Sequence, residues 1–327
     1  MAETILGSVD RPPVPKLPAV SLFKLLPGAA LLFASLLVFF SRNSMPEAVV
    51  EYQGYITVAS IVGALLGNAL ILRTLPFTMA VVIVWVELLG GFFLFCTLFD
   101  LQFDYIYQKF GALIGYDLKG GFVQGTLLTL FICAVSISLA VALALVAALA
   151  KLFGGGALYG LTTFYISFFR GTPLLLQVLI IYLGLPQIGW TISAIPAGIM
   201  ALALNYGAYM AEIFRSGIQA INRGQWEASD ALGLSRRHCL VNVILPQSMR
   251  LIVPATGNQF IMMLKDSSLI SIMGVWELMY VSRAIGRADF KYMEMLIAAA
   301  IIYWILSAVL EVVQHKLERH YSRGTRR

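Results

Sequence analysis

The sequence predicts an all-α integral membrane protein with about eight transmembrane helices, and three observations carry that prediction. Hydrophobic residues make up 59% of the 327-residue chain and charged residues only 12%, where a soluble domain carries roughly 25% charged; mean hydropathy is +0.84. The apolar residues fall into successive runs on the scale of the ~17 to 25 residues that a helix needs to cross a bilayer. Lysines and arginines collect between particular runs, as the positive-inside rule requires of a cytoplasmic face. The net charge of +6 therefore reads as topology, and no nucleic-acid partner is expected.

Residues 1–24 read as a cytoplasmic tail, basic through Arg11, Lys16 and Lys24 and proline-rich through Pro12, Pro13, Pro15 and Pro18. The first apolar run covers residues 25–41. It has no small-residue cleavage site before Arg42, which points to a retained helix and not a signal peptide. A second run over 55–72 and a third over 74–99 are separated by Arg73 and the turn signal at Pro76, giving a tight helical hairpin. Glu87 lies inside the third run, where a carboxylate is costly. Either it makes a buried polar contact or it is held protonated or turned toward a helix. Residues 100–119, with Asp100, Asp104, Lys109, Asp117 and Lys119 among Tyr105, Tyr107 and Tyr116, read as interfacial. Residues 25–118 thus form an N-terminal extension of about three transmembrane helices.

A long apolar run over 122–150 ends at Lys151 and the triplet Gly154, Gly155 and Gly156. Residues 158–170 are apolar and aromatic, but Gly171, Thr172 and Pro173 redirect the chain. The crossing is therefore placed at 174–185, and the preceding part along the inner surface. The run 191–209 returns across the bilayer and emerges into Glu212 and Arg215, whose spacing of three allows an ion pair on one helix face. Residues 251–275 form another crossing, 276–291 a polar connection, 292–314 the last crossing, and 316–327 a basic cytoplasmic tail.

Three crossings precede Lys119 and five follow it. With both termini and the stretch 222–246 on the cytoplasmic side, 16 of the 23 lysines and arginines face the cytoplasm and the even number of crossings closes. Arg283, Arg287 and Lys291 are the discordant group, falling on the outer side.

The polar stretch 222–246, NRGQWEASDALGLSRRHCLVNVILP, interrupts this apolar chain. Ala228, Ala231 and Leu232 fall at helical spacing, as do Cys239, Leu240, Val243 and Ile244, which predicts two short amphipathic helices with a break at Gly233. Gly233 suits a left-handed helix end, Ser235 can cap the second helix, and Pro246 is expected to close the unit.

No catalytic constellation emerges. The chain has no GxSxG, HExxH or phosphate-binding G-x4-G-K-[ST] sequence, so it is not expected to be an enzyme or to hydrolyse ATP. Cys96, Cys133 and Cys239 lack metal or disulfide spacing, and His238, His315 and His320 lack ligand partners, so no metal site is expected.

Glu227, Ala228, Ser229, then Gly233, then Val243, Leu245 and Pro246 resemble the EAA motif of permease subunits in binding-protein-dependent ABC importers, E-A-A-x3-G-x9-I-x-L-P, with serine for the second alanine and valine for isoleucine. FFRGTPLLLQ at 168–177, LNYGAYMAEIFRSGI at 204–218 and LKDSSLISIMGVWEL at 264–278 resemble the polar amino acid uptake subfamily, of the histidine, glutamine and arginine permease type. The resemblance implies a five-helix type I ABC importer permease core over 119–315, preceded by three extra helices. It implies residence in the bacterial plasma (inner) membrane with both termini cytoplasmic. It also implies a cytoplasmic ABC ATPase subunit that binds ATP and Mg, a second permease subunit (identical or paralogous), and an extracytoplasmic amino acid binding protein. The chain itself would need no cofactor. The stretch 222–246 would be the element seated in a groove of the ATPase, with Ala228, Ala231 and Leu232 filling the groove, Glu227 meeting a basic or amide partner, and Gly233 permitting the sharp exit.

Polar residues inside the crossings are candidates for the substrate path: Asn205, Tyr206, Asn258, Gln259, Lys265, Asp266, Ser267 and Ser268. Lys265 and Asp266 supply opposite charges apt for an amino acid, yet adjacent residues point about 100° apart on a helix, so helix packing is the competing role for them and for the others. An ion-coupled secondary amino acid transporter is the rival function, with Glu87, Lys265 and Asp266 as coupling groups.

Overall fold

The computed structural model describes residues 62–63, 67–69, 72–73, 75–98, 101–115 and 123–322. The tail 1–24, the crossing 25–41, most of the run 55–72, Asp100, Tyr116, Asp117, Lys119 and residues 323–327 lie outside the described residues. The chain divides into two units, Met1–Leu101 and Gln102–Arg327.

In the first unit, α1 (Phe77–Leu98) follows the predicted turn. The Arg73 N–H reaches the Ala69 carbonyl at 3.1 Å and the Leu75 N–H the Leu72 carbonyl at 3.1 Å, and Pro76 opens the next helix by accepting from the Ala80 N–H at 3.0 Å. Asn68 donates its amide to Glu87 at 2.7 Å, so Glu87 makes a polar contact.

The second unit begins with α2 (Phe103–Ile114), a helix where an interfacial connection was expected. Tyr105, Ile106, Leu113 and Ile114 fall on one side of it and join Leu278, Val281, Met295, Ala298, Ala299 and Ile302 in a small core. Asp104 and Tyr107 are exposed, Tyr107 at 86%, while Lys109 lies over the Tyr105 ring.

Helices α3 (Gly125–Phe153) and α6 (Ala194–Gln219) are long and apolar and share the main core, built largely from small residues. Ala140, Ala144, Ala147 and Ala148 of α3 and Ala197, Ala201 and Ala211 of α6 are all buried there. Between apolar helices surrounded by lipid, small side chains permit close backbone approach and hence dispersion contact. Gly207 is a point of close approach, since a Cβ there would lie 2.8 Å from the Tyr165 hydroxyl and 3.2 Å from Leu143 Cβ.

The break at residues 171–173 is present. Helix α4 (Gly156–Gly171) and the segment Leu174–Ile188 meet at 108°. That second segment starts as α5 (Leu174–Leu179) and continues through a π turn, Ile180–Gly184, and a 3-10 turn, Leu185–Ile188. After α6 come α7 (Arg223–Ala231), α8 (Arg236–His238), α9 (Leu245–Asp266), α10 (Leu278–Ala288) and α11 (Tyr292–Ser322). The region 276–291, expected to be a connection, is therefore largely helical. Its strongly amphipathic α10 buries Leu278, Val281, Ser282 and Gly286 on one face.

Among the described residues, four helices are long and apolar enough to cross a membrane, or five when the bent pair counts as one span. That pattern accommodates the five crossings expected after Lys119. Phe131, Val146, Trp304, Ile305 and Val309 are more than half exposed on these helices, as side chains facing lipid would be.

Candidate functional site

The stretch 222–246 is built from short-range hydrogen bonds. Asn222 caps α7 by accepting from the Gly224 N–H at 2.8 Å. At the other end Gly233 adopts φ +68°. Its N–H reaches the Asp230 carbonyl at 3.0 Å, and the Leu234 N–H reaches Ser229 at 3.0 Å, the paired bonds of a Schellman ending. Ser235 then caps α8, its hydroxyl accepting from the His238 N–H at 3.4 Å. The break at Gly233 and both neighbouring helices fall where the sequence placed them.

Pro246 does not close the unit, contrary to expectation. Leu245 keeps helical angles, φ −58° and ψ −47°. The chain runs from Arg236 to Met273 as one 38-residue helix. A π turn over Cys239–Ile244 makes this possible, with the Leu245 N–H reaching back to Leu240. The wider turn relieves the clash that a proline ring makes with the preceding turn of a regular helix, and the ring's missing donor falls where the ladder is already shifted.

Glu227, Ala228, Ala231 and Leu232 are all exposed, with Leu232 at 78%. Ser229 is the exception in the motif. It is 3% exposed, and its hydroxyl donates to the Gln225 carbonyl at 2.7 Å, so it faces this chain's own body. Glu227 meets Arg223 of its own helix at 3.3 Å, and Arg236 meets Asp230 at 3.8 Å. The inner face is anchored: Trp226, Leu240, Val243 and Leu245 pack against the main core. Gln247 donates to Gln225 at 3.0 Å, tying α7 to α9. An exposed edge is thus fixed to the base of a 38-residue helix.

The intramembrane candidates do not converge on one point. Asn205, 5% exposed, donates to the Phe169 carbonyl and to Gln177 Oε1, both at 3.0 Å. Gln177 in turn donates to the Phe169 and Thr172 carbonyls at 2.9 and 3.1 Å. This network satisfies carbonyls freed by the break at Pro173, so Asn205 holds the bend. Tyr206 donates to Asp266 at 2.7 Å, joining α6 to the end of α9. Asn258 accepts from Gln314 of α11 at 2.8 Å, and Gln259 is half-buried beside it. Ser267 and Ser268 donate to the Leu264 and Lys265 carbonyls, each at 2.7 Å, within the 3-10 turn that follows α9. Lys265 is exposed and Asp266 half-buried, so the adjacent charges point apart.

Two polar nodes were not foreseen. Lys151 joins the predicted Glu212–Arg215 pair, where Arg215 lies 2.7 Å from Glu212, so one carboxylate holds two cations and links α3 to α6. Lys151 lies 61 positions from Glu212, too far for any local sequence signal. Glu277, fully buried, caps α10 by accepting from the Met279 and Tyr280 N–H groups at 3.0 and 2.8 Å, and accepts the Tyr303 hydroxyl at 2.9 Å. Burial pushes its carboxyl up to about 7 despite these donors. The adjoining backbone is tied to α3 through the Gly125 N–H to Trp276 carbonyl bond, 2.8 Å, and the Leu278 N–H to Thr129 hydroxyl bond, 3.1 Å.

Residues 140–323 match the family model described as "Binding-protein-dependent transport system inner membrane component". The chain is similar to the probable amino-acid ABC transporter permease protein YckA of Bacillus subtilis, 36% identical over 68% of this chain and 97% of the relative. It is 38% identical to the arginine transport system permease protein ArtQ of Bacillus subtilis over 60% of this chain and 90% of the relative. The glutamine transport system permease protein GlnP of Escherichia coli is 36% identical over 60% and 91%. Among solved structures, an amino acid ABC transporter with histidines matches at TM-score 0.62 and 35% identity, covering 67% of this chain and 99% of that one. The MetNI methionine ABC transporter shares the fold at TM-score 0.52 and 20% identity, over 60% of this chain and 93% of that one. The chain therefore belongs to the family of inner membrane components of binding-protein-dependent transport systems.

Proposed function

We propose that this chain is the permease subunit of an ATP-driven importer of polar amino acids, a multi-pass inner membrane protein that forms the translocation path and receives force through the stretch 222–246. The observation that carries the reading is the exposed edge Glu227, Ala228, Ala231 and Leu232, ended by a left-handed Gly233 and continuous with a membrane-length helix. Family membership and relatives named as amino-acid permeases support it. In this reading a separate cytoplasmic ATPase subunit binds ATP and Mg and takes α7 into a groove. A second permease completes the path, an extracytoplasmic binding protein delivers the substrate, and both termini lie in the cytoplasm with 222–246. Leu232 is the apolar anchor and Gly233 the turn that clears the groove wall. Arg236 and Arg237, exposed at the same end, suit anionic headgroups.

The test is purification followed by reconstitution. The chain should bring down a nucleotide-binding subunit, and uptake of labelled amino acid into proteoliposomes should require ATP and the binding protein. Uptake driven by a proton or sodium gradient with no ATPase present would instead identify a secondary carrier.

A further inference from the structure

At the end of the 38-residue helix remote from the stretch 222–246 lies a cavity of about 490 Å³, lined by Ser271, Gly274, Tyr280, Arg283 and Arg287 among others. Its size falls in the range of small-molecule sites, about 300 to 1,000 Å³. Arg283 and Arg287 stand one turn apart on α10, both exposed and both lining the cavity. Like charges at this spacing repel, so the pair does nothing for its own helix.

Neighbouring cations are matched: Lys109 lies 3.1 Å from Asp289 and Lys291 lies 3.7 Å from Glu294. Among the described residues, neither Arg283 nor Arg287 has a carboxylate within ion-pair distance. Glu277 feels the charge of Arg283, but its oxygens are already taken by Met279, Tyr280 and Tyr303. The same two arginines oppose the positive-inside pattern of the rest of the chain. Two arginines lining a concave surface together with Tyr280 and Ser271 offer N–H donors to a carboxylate, the group that pairs with arginine in bidentate geometry.

We propose that the Arg283–Arg287 cavity is a carboxylate-binding subsite at the extracytoplasmic mouth, which accepts amino acids of neutral or negative side chain and disfavours cationic ones. This rests on the importer reading for its place on the outer side and for its ligand class.

The test is equilibrium binding of labelled L-glutamate, L-glutamine and L-arginine to the full-length chain, with whatever subunits co-purify, in phosphatidylcholine nanodiscs without binding protein. Glutamate or glutamine should bind, arginine at least about tenfold more weakly. The double variant Arg283→Gln, Arg287→Gln should lose about tenfold or more, the scale of one charge-assisted contact, with Arg283→Lys, Arg287→Lys retaining part. The single Arg287→Gln variant, at an exposed position, serves if the double variant does not fold. No binding to the wild type, equal binding by wild type and Gln variants, or arginine binding as tightly as glutamate overturns the proposal. So does phosphatidylglycerol in the nanodisc displacing the probe from the arginines, which would mark a lipid headgroup site. ATP hydrolysis by the same nanodiscs reports on the importer reading separately, because its absence leaves the binding comparison intact.

Discussion

The Tyr206 hydroxyl lies 2.7 Å from a carboxylate oxygen of Asp266 and joins α6 to the end of α9 across 60 positions of sequence. Tyr206 is 2% exposed, so its hydroxyl depends on this partner. Tyr206→Phe should lower stability by about 1 to 3 kcal/mol, because it leaves a half-buried carboxylate without its donor. Thermal unfolding of the detergent-purified chain measures this. An unchanged midpoint would show that water serves Asp266 as well as Tyr206 does.

Glu212 stands between Lys151 and Arg215 where α3 and α6 meet. Glu212→Gln should destabilise more than removal of either cation, since it leaves two partly buried positive charges facing a neutral amide. About 2 kcal/mol is expected, below the range for fully buried pairs because all three side chains retain some exposure. Lys151→Met and Arg215→Met should each cost less, and the ranking of the three unfolding midpoints decides the point.

Glu277 titrates near 7 in the folded protein because burial disfavours its charge. With an unfolded value near 4.5, the folded state holds the extra proton between those two values. Stability should therefore be greatest below about pH 4.5 as far as this group is concerned, and fall as pH rises through 7, by on the order of 3 kcal/mol. Glu277→Gln should flatten that part of the curve measured between pH 5 and 8. An equal slope in the variant would assign the pH dependence to other groups.

At Gly207 of α6, Tyr165 of α4 and Leu143 of α3 leave no room for a Cβ. Gly207→Val should push Tyr165 from its 2.7 Å bond to the Leu204 carbonyl and part the helices, costing about 1 to 3 kcal/mol as overpacking. Reduced yield of folded, monodisperse protein in detergent is the readout.

Features set by residues within a turn of one another were legible in the sequence: the Gly233 ending, the Ser235 cap, the Glu212–Arg215 pair and the break before Pro173. Each needs only local backbone geometry and side-chain reach. Pro246 was misread because its preference was weighed without the π turn that precedes it. Residues 100–119 read as interfacial and 276–291 as a connection because their charges dilute the apolar signal, while the helicity of 103–114 and 278–288 depends on one buried face each packing into a core they share. The intramembrane polar residues could be found but not sorted. Whether Asn205 lines a path or holds a bend depends on Gln177 and Phe169, which only tertiary contact brings to it.

In the proposed importer the exposed edge ended by Gly233 transmits force from another subunit. A Cβ at Gly233 would meet nothing within 4 Å in this chain, and its φ of +68° strains an aspartate there by only about 1 to 2 kcal/mol, so Gly233→Asp should still insert, and a loss of transport larger than the loss of folded protein arises at a partner. The decisive measurement is amino acid taken up per ATP hydrolysed by the reconstituted complex. Gly233→Asp should keep hydrolysing ATP with uptake reduced at least about tenfold, equivalent to losing one well-placed contact. Uptake and its ratio to hydrolysis matching the wild type would contradict it.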